Sequence, residues 1–537
     1  MNPIKHFCIV IQKGIRWCGV ICFAVILLLL LFGAGRIPYA YRTEFPCSNW
    51  LYLFFGILIC GAVGTAEYVC PEAVKRYFRN NSRRLIGFLS ILFFGVQLYV
   101  VSNYYFITGW DAGVLCDAAR GIAEGQTYGK GSFLSYYFST YPNNLFLLSV
   151  FSGIMKLDRL FGFLDVESGI MGILTVQCMI SALTGVLVFY TALLWKSSVR
   201  TAWNSWGLYV CSAGISPWVS IPYSDAFGMF VPVLILYLYL SMGNGRRTGV
   251  KCFALAAVAA AGFWIKPQLA VMGIAAGLTA VIRLPRKHEG GRRRIGKNVV
   301  SLAAGAAAAL LAVQAAVSSV PVEVDREETF GPAHILMMGL NPVTNGGYLE
   351  EDVLYSHEQP ADERTQANLD RIGQRLAEYG PAGLSAHLAK KLLTSFSDGT
   401  WAWGREGGFY RELKTDRNQK MSPFLKSVYY EDGSRHEWFQ NWSQTVWMLI
   451  LAGCFLSFFD RKNDGNSPAG PAALLALMGL TLFVLLFEAR ARYLYCYVPV
   501  FVLLSVSGWE TAGQFLAGSI RRAGKVRKME AETKAEP

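Results

Sequence analysis

Asp111 lies in the run TGWDAG, directly after a strongly apolar stretch, and is the acidic residue best placed for base chemistry. A carboxylate fixed at the end of a rigid helix can accept a proton from a substrate hydroxyl group. A simpler role for Asp111 would be to cap the helix or turn that follows. Asp117 is a rival base, but Arg120 lies three residues later, so an ordinary ion pair explains Asp117 more simply. We therefore predict Asp111 as the catalytic base.

Three basic residues fall in short turns between apolar stretches: Lys266 in WIKPQ, and Arg490 and Arg492 in EARARYLY. Ionisable residues at membrane depth are costly, which makes each of them a functional candidate. These three fall at the same predicted membrane level as Asp111, which gives an acid and a set of cations on one face of the protein. Two plainer alternatives stay open. Lys266 could cap a tight turn before Pro267, and the arginines could extend to the membrane surface and pair with Glu488.

Five further residues are predicted to contact substrate: Asp225, Tyr141, Asn143, His334 and Trp401. Asp225 belongs to the short turn PYSD, where it could equally be a helix N-cap. The aromatic candidates, together with Tyr136 and Tyr137, have flat faces on which a substrate can stack, although such residues also anchor proteins at membrane interfaces. His334 is the weakest candidate, because a lone loop histidine is more often structural.

A membrane bundle must position these residues. The chain has 537 residues, of which 53% are hydrophobic and 16% charged, and it contains repeated apolar runs long enough to cross hydrocarbon. We predict an all-α polytopic membrane protein with about 12 transmembrane helices. The predicted spans are Trp17–Gly35, Trp50–Cys70, Leu85–Ile107, Gly169–Trp195, Trp203–Ser220, Ala226–Met242, Cys252–Ile265, Gln268–Ile282, Val299–Val320, Val446–Phe459, Gly470–Phe487 and Tyr493–Phe515.

Lys and Arg collect in alternate loops, which predicts the orientation because basic loops resist translocation. The basic regions are Lys5–Arg16, Lys75–Arg84, Lys196–Arg200, Arg246–Lys251, Arg283–Lys297, Arg461–Lys462 and the tail Arg521–Lys534. Both termini are therefore predicted to be cytoplasmic. A span at Asn143–Met155 would break the alternation, so Leu145–Leu160 is predicted to lie along the outer surface. The net charge of +13 follows from this topology and does not indicate nucleic-acid binding.

The predicted organisation has six parts: N-terminal spans (1–107), a first catalytic outer segment with a juxtamembrane helix (108–167), a transmembrane core (168–320), an extracellular lobe (321–443), C-terminal spans (444–516) and a basic cytoplasmic tail (517–537). The lobe is predicted to be small and mixed, with an amphipathic helix over Asp362–Glu378. Its run DGTWAWGREG, residues 398–407, contains Trp401, Trp403 and Arg405. This run is predicted to approach the mouth of the site, or else to anchor the lobe on the membrane.

The cysteines argue against metal chemistry. The 12 cysteines lie mostly inside spans without metal-binding spacing, so we interpret them as small buried apolar residues, with only Cys47 and Cys116 external. No metal site or cofactor is predicted, and the sequence leaves a divalent metal open. No phosphate-binding GxxxxGK[ST] loop occurs. The first apolar run lacks a convincing cleavage site, which predicts an uncleaved anchor.

The chain resembles the GT-C superfamily of integral-membrane glycosyltransferases, which includes protein O-mannosyltransferases and the aminoarabinose transferase of lipid A. Members carry an acidic residue in the first long outer loop, which Asp111 matches, and an aromatic–proline motif before a juxtamembrane helix, which Tyr141 and Pro142 match. The next span of members ends in basic residues, as here at Lys196 and Arg200. The PYSD turn also falls where members keep a short acidic outer motif.

The resemblance covers about Leu85–Ile282 and, less specifically, Glu488–Tyr495. The chain departs from the family in three ways. Two extra apolar spans precede the segment of Asp111, YPNN replaces a double proline, and the large lobe is not C-terminal. The resemblance implies a sugar on polyprenyl phosphate as donor, membrane lipids as surroundings, and a glycan, lipid or protein as acceptor. Transfer would take place on the outer face of a bacterial plasma membrane.

The predicted residues fit that chemistry, because displacement at an anomeric carbon needs one base for the acceptor and cations for the phosphate. Asp111 is the predicted base, and Lys266, Arg490 and Arg492 are the predicted phosphate-binding residues. We therefore predict a GT-C-type glycosyltransferase that moves a hexose or pentose. A transporter or a lipid or glycan flippase is the alternative from another class. It would need charged residues within spans and repeat symmetry, and neither is evident. A polymerase or ligase that joins whole glycans would share the donor type.

Overall fold

The computed structural model describes residues 3–104, 110–161, 169–244, 247–283, 291–405, 420–459 and 468–533. Within these ranges the chain is helical and contains no strand, which confirms the prediction of an all-α polytopic membrane protein. The α-helices are α1 (Pro3–Leu28), α2 (Asn49–Val69), α3 (Glu72–Asn80), α4 (Ser82–Asn103), α5 (Asp111–Ala123), α6 (Phe133–Thr140), α7 (Leu145–Leu160), α8 (Gly169–Lys196), α9 (Val199–Cys211), α10 (Ser224–Phe227), α11 (Phe230–Ser241), α12 (Thr248–Ile265), α13 (Val271–Arg283), α14 (Gly291–Ser318), α15 (Pro332–Met338), α16 (Glu350–His357), α17 (Arg364–Phe396), α18 (Met421–Tyr429), α19 (His436–Leu456), α20 (Ala469–Leu486) and α21 (Val498–Thr533).

Ten helical stretches in the described ranges are long and apolar enough to cross a membrane, so the predicted count of 12 is not confirmed. The spans are Val10–Gly33, Asn49–Val69, Ser82–Asn103, Gly169–Lys196, Ser224–Ser241, Thr248–Ile265, Ile295–Ser318, His436–Phe459, Ala469–Leu486 and Ala491–Phe515. The predicted span Trp203–Ser220 is interrupted, because α9 ends at Cys211 and Pro217 begins a separate 3₁₀ turn. Pro267–Arg283 is apolar but shorter than the ten.

Helix α21 is the centre of the bundle. In the apolar stretch of the span Ala491–Phe515, 94% of the residues are buried inside the protein. In the corresponding stretch of Asn49–Val69, at the periphery, 11% are buried. Helix α21 packs against α19 where Gly508 faces Gly453, and a Cβ atom on Gly508 would overlap the Gly453 carbonyl. Small residues allow such close approach between membrane helices. The 3₁₀ segment Ala491–Tyr497 leads directly into α21.

Helices α5, α6 and α7 form the first polar segment, residues 110–161. Helix α7 covers Leu145–Leu160, as predicted, and packs against α5 and α8. Its place on the membrane surface stays a prediction. Asn143 and Pro142 precede it in a short 3₁₀ turn, where the fixed φ angle of proline favours the start of a helix.

The large lobe, residues 321–443, was predicted to be mixed but is helical where it is described. The predicted amphipathic helix lies inside α17, which continues to Phe396 through a kink at Gly380, where φ is +55°. A glycine tolerates this left-handed conformation, and Pro381 cannot donate a helical hydrogen bond. One isolated parallel bridge, Tyr128 to Val322, joins the lobe to the first polar segment.

Further hydrogen bonds hold the lobe against the first polar segment. Ser135 Oγ donates to Glu323 O at 2.5 Å, and Asp325 N donates to Ser139 Oγ at 2.8 Å. The basic-loop pattern predicts that these two segments lie on the same side of the membrane. Their direct contact agrees with that parity.

Cys47 and Cys116, the two cysteines predicted to be external, both lie outside the ten spans. Cys47 is exposed, whereas Cys116 is buried on α5. Several residues named in the predictions lie outside the described ranges: Thr108, Gly109, residues 162–167, Arg246, residues 284–290, Glu406, Gly407, Arg461, Lys462 and Lys534.

Candidate functional site

Asp111 is the first residue of α5, and its side chain is half-buried. Its carboxylate accepts hydrogen bonds from the hydroxyl of Tyr137 at 2.8 Å and from the hydroxyl of Tyr223 at 3.1 Å. The capping residue of α5 is Trp110, and no side-chain cap bond is made there. The positive end of the helix dipole favours a carboxylate at this position. Asp111 is therefore oriented by two tyrosines from distant elements and does not cap the helix.

Tyr137 is buried on α6, and its hydroxyl also accepts a hydrogen bond from Asn144 Nδ2 at 2.8 Å. Burial, followed by the charge of Asp111, raises the pKa of Tyr137 well above its ordinary value. The phenol therefore stays protonated and donates a hydrogen bond to Asp111. Asn144 is thus part of this network, although the prediction named its neighbour. Asn143 is exposed, and its Nδ2 lies 3.3 Å from Asn144 Oδ1.

Asp225 is the centre of a buried ion cluster. The residue is 1% exposed, and its Oδ1 accepts from Lys266 Nζ. Its Oδ2 lies 3.8 Å from Arg492 Nη1. The helix that holds Asp225 has Tyr223 as its capping residue and no side-chain cap bond, so the N-cap alternative does not describe Asp225. Asp225 instead joins two of the three predicted phosphate-binding cations, which come from separate turns.

Tyr223 connects this ion cluster to Asp111. Its ring centroid lies 5.4 Å from Cζ of Arg492, while its hydroxyl donates to Asp111. Trp110 strengthens the connection, because its ring lies 4.5 Å from the same Arg492 Cζ and 5.0 Å from the ring of Tyr223. Cations at these distances are attracted to aromatic faces. The candidate base and the candidate phosphate site therefore form one connected group of side chains.

The third cation, Arg490, is held by Glu488 and by Tyr41. Arg490 Nε donates to Glu488 Oε1 at 2.8 Å, and Arg490 Cζ lies 4.2 Å from the ring centroid of Tyr41. Burial raises the pKa of Glu488, but Arg490 and the Tyr493 hydroxyl outweigh it and hold that pKa below its ordinary value, so the carboxylate is ionised. The predicted pairing of Glu488 with an arginine thus occurs for Arg490.

Neither arginine extends to the membrane surface. Arg490 is 9% exposed and Arg492 is 6% exposed. Tyr493 lies between the three cations, because its hydroxyl donates to Glu488 while its ring lies 3.9 Å from Lys266 Nζ and 5.6 Å from Arg492 Cζ. Lys266 has an extended backbone directly before Pro267, a geometry that proline favours in its predecessor. The structure thus brings Asp111, Asp225 and all three cations together.

Of two further predicted substrate residues, His334 lies apart from this group and Tyr141 lies at its edge. His334 is 2% exposed, its Nδ1 lies 2.7 Å from Ser356 Oγ, and its ring lies 4.3 Å from the ring of Phe330. Burial lowers the pKa of His334 to about 4, so the imidazole is neutral and structural. Tyr141 is half-buried and packs its ring 5.6 Å from that of Tyr137, which leaves it at the edge of the group.

Trp401 packs in the core, and its burial does not fit the sugar-stacking role predicted for it. It is 3% exposed and lies 5.0 Å from the ring of Tyr495. The preceding Asp398 organises the loop by accepting from Thr400 N at 2.6 Å and from Ala402 N at 3.0 Å. Trp403 is also buried, and its indole donates to Tyr429 O at 2.9 Å. The sequence pattern alone could not distinguish an aromatic loop in the core from one at the mouth.

Several members of the site carry no sequence signal of their own. Tyr41, Tyr223 and Tyr493 resemble ordinary interfacial aromatic residues in the sequence. Lys391 on α17 is fully buried, and its Nζ donates to Gly339 O and to Phe487 O, both at 2.6 Å. Nothing in the sequence distinguishes Lys391 from an exposed lysine on a polar helix. Across the described residues, no group of three or more His, Cys, Asp or Glu side chains is arranged to hold a metal.

No curated protein matches the chain, and no solved structure matches it either. A family match does exist and spans residues 18–513, from the first membrane span to the last. The description of that family is conserved hypothetical integral membrane protein. With the apolar helices described above, this match establishes that the chain belongs to that family of integral membrane proteins.

Proposed function

We propose that this protein is a GT-C-type membrane glycosyltransferase that moves a sugar from a polyprenyl-phosphate donor to an acceptor hydroxyl. The observation that carries the proposal is the double contact of Tyr223, which hydrogen-bonds Asp111 and lies 5.4 Å from Arg492. One side chain thus joins a carboxylate that could act as a base to cations that could hold a phosphate. A glycosyl transfer to a hydroxyl needs a base for the acceptor and cations for the phosphate leaving group, and the candidates for both roles adjoin here.

The charge of the cluster suits a phosphodiester. Lys266, Arg490 and Arg492 carry three positive charges, and Asp225 and Glu488 carry two negative charges, so the ion cluster without the base Asp111 has one positive charge in excess. A sugar linked to a lipid through phosphate carries one negative charge. Binding of such a donor neutralises the cluster, and the buried cations then attract the second charge that develops on the departing phosphate.

In the proposed reaction the acceptor oxygen attacks the anomeric carbon. The bond from that carbon to the phosphate oxygen breaks, and its electron pair leaves with polyprenyl phosphate. Asp111 takes the proton of the acceptor hydroxyl. A carboxylate has about four lone-pair positions, of which the two tyrosines use two, so Asp111 keeps lone pairs that can take the acceptor's proton.

The position of the site along the chain suits a lipid donor. Lys266 directly follows one span, Arg490 lies between two spans, and Asp225 is the second residue of another. A phosphate at this level would lie where the hydrocarbon of the membrane ends, with its polyprenyl chain alongside the bundle. The basic-loop pattern assigns this end to the outer face of the plasma membrane.

The proposal is tested by incubating the purified, detergent-solubilised protein with a panel of polyprenyl-phosphate sugars and measuring released polyprenyl phosphate by mass spectrometry. We expect one donor to give release that depends on acceptor and is lost in Asp111→Asn but kept in the matched control Asp117→Asn. The proposal fails if no donor gives release that depends on Asp111. Movement of an intact labelled donor across vesicles, without bond cleavage, would instead support a flippase.

A further inference from the structure

We infer that Tyr41 is a positioning residue of the donor-phosphate site: its ring fixes Arg490 and thereby sets the affinity for the phosphate. This inference rests on the proposed function. Arg490 Cζ lies 4.2 Å from the ring centroid of Tyr41, and Arg490 is 9% exposed. Tyr41 belongs to the first loop, residues 34–48, between the two N-terminal spans that the resemblance does not explain.

Hydrogen bonds of residues before and after Tyr41 in the chain hold it in this place. Ala40 N donates to Asn345 Oδ1 at 2.8 Å, and Thr43 Oγ1 donates to Asp398 Oδ2 at 2.6 Å. Tyr41 itself has a φ of +56°, a left-handed conformation that is unfavourable for a residue with a Cβ. Such a conformation persists where the surroundings impose it, and it is concentrated at functional sites. Here the imposing residues belong to the large lobe.

The lobe also holds the turn that carries Arg490. Ala489 N donates to Gly346 O at 2.9 Å, and Lys391 Nζ donates to Phe487 O at 2.6 Å. Gly346 has a φ of +80°, and a Cβ atom there would overlap the Gly339 carbonyl, so only glycine fits. The lobe therefore fixes both Tyr41 and the turn beneath Arg490. By holding both, the lobe completes the donor site.

The contact of Tyr41 with Arg490 suits a phosphate site because it leaves the charge intact. A ring that stacks on a guanidinium group occupies a face, whereas hydrogen bonds to phosphate use the edge N–H groups. Glu488 already accepts from Nε of Arg490 along that edge. Tyr41 thus orients the cation without competing with the phosphate for its donors.

The test measures binding of sugar-free polyprenyl phosphate to the full-length protein in detergent, by intrinsic tryptophan fluorescence, together with the KM and kcat for the sugar donor. We expect Tyr41→Leu to bind about 5- to 30-fold more weakly, as the loss of a partly desolvated cation–π contact predicts. Tyr41→Phe and Tyr41→Trp keep a ring face and should bind within about twofold of the wild type. The donor KM of Tyr41→Leu should rise with little change in kcat. Arg42→Ala, an exposed cation in the same loop, is the matched control and should behave as the wild type.

Failure of the inference differs from failure of the proposed function. If Arg490→Ala loses binding while Tyr41→Leu keeps the wild-type affinity, Tyr41 has no part in the site and the glycosyltransferase proposal stands. Equal losses in Tyr41→Phe and Tyr41→Leu would also overturn the inference, because the hydroxyl and not the ring would then matter. If the wild-type protein does not bind polyprenyl phosphate at all, the proposed function fails and the inference fails with it.

Discussion

Asp111 and Tyr223 lie 112 positions apart in the sequence and meet through a hydrogen bond of 3.1 Å. Tyr223 precedes the short helix of Asp225, so the same turn contacts the candidate base and carries the carboxylate of the ion cluster. Any shift of this turn would change the spacing between the base and the cations. In the proposed reaction, that spacing would have to match the distance between the acceptor hydroxyl and the donor phosphate.

The substitution Asp111→Asn should leave donor binding intact while reducing transfer by about 10²- to 10⁴-fold, because asparagine keeps the shape but cannot take a proton. The measurement is turnover with the donor identified from the panel, beside polyprenyl phosphate affinity. Asp117→Asn is the control, since Asp117 lies 61% exposed in a 4.0 Å contact with Arg120. Near-normal turnover in Asp111→Asn would reduce this residue to a structural role.

Removal of one phosphate-binding cation should weaken binding of polyprenyl phosphate. A charge-assisted contact contributes about 1.5 to 3 kcal/mol, so Arg490→Ala or Arg492→Ala should each weaken binding roughly 10- to 150-fold. Arg326→Ala removes an exposed arginine of the large lobe and serves as the control. Affinities within twofold of the wild type in both site variants would remove the phosphate site from this turn.

Asp225→Asn tests the stability of the buried ion cluster. The substitution leaves Lys266 and Arg492 without their shared carboxylate, and loss of one partner of a buried pair costs about 3 to 5 kcal/mol. We therefore expect a clear fall in the thermal unfolding temperature in detergent. Glu72→Gln breaks an ion pair whose side chains are more than 60% exposed and should cost about 0 to 1 kcal/mol. Similar small effects in both variants would contradict the buried cluster.

Lys391 should make the stability of the protein depend on pH in the alkaline range. Burial lowers its pKa to about 7, although the charge of Glu488 opposes this, and a neutral amine has two N–H groups for its two carbonyl partners. Between pH 7 and the pKa of an unfolded lysine, the unfolded chain binds more protons, so stability rises with pH. The contribution is at most about 1.4 kcal/mol per pH unit. Unfolding measured from pH 7 to 10 should show this rise in the wild type and a weaker rise in Lys391→Met. Parallel curves would mean that Lys391 stays charged.

The sequence predicted the charged members of the site because ionisable residues at the ends of apolar runs are costly and rare. Lys266, Arg490 and Arg492 were identified on that ground, and the structure places them beside Asp225. The bounds of α7 followed equally from charge parity and length. The charges of side chains and the order of apolar and basic segments along the chain can both be read from a single sequence.

The sequence could not predict the partners that orient these charges. Tyr223 and Tyr41 lie among 26 tyrosines, and nothing in the chain marks which of them face a cation. Thr43 and Asp398, whose bond helps to fix Tyr41, are 355 positions apart. For the same reason, the sequence could not show that Trp401, predicted to contact substrate, packs in the core against Tyr495. Contacts of this kind depend on how distant segments meet, which hydropathy and residue spacing do not encode.

The bonds of the first loop, residues 34–48, depend on segments that are synthesised much later than the loop itself. Tyr41 leaves the ribosome early, whereas Asn345, Asp398 and Arg490, on which its contacts depend, follow hundreds of residues later. The first two spans and the loop that joins them are therefore synthesised before the partners of that loop exist, and the loop cannot form these contacts until the turn of Arg490 has been made. A chain that stops before Arg490 lacks part of the proposed phosphate site, so under the proposed function truncated products of synthesis would be inserted but inactive.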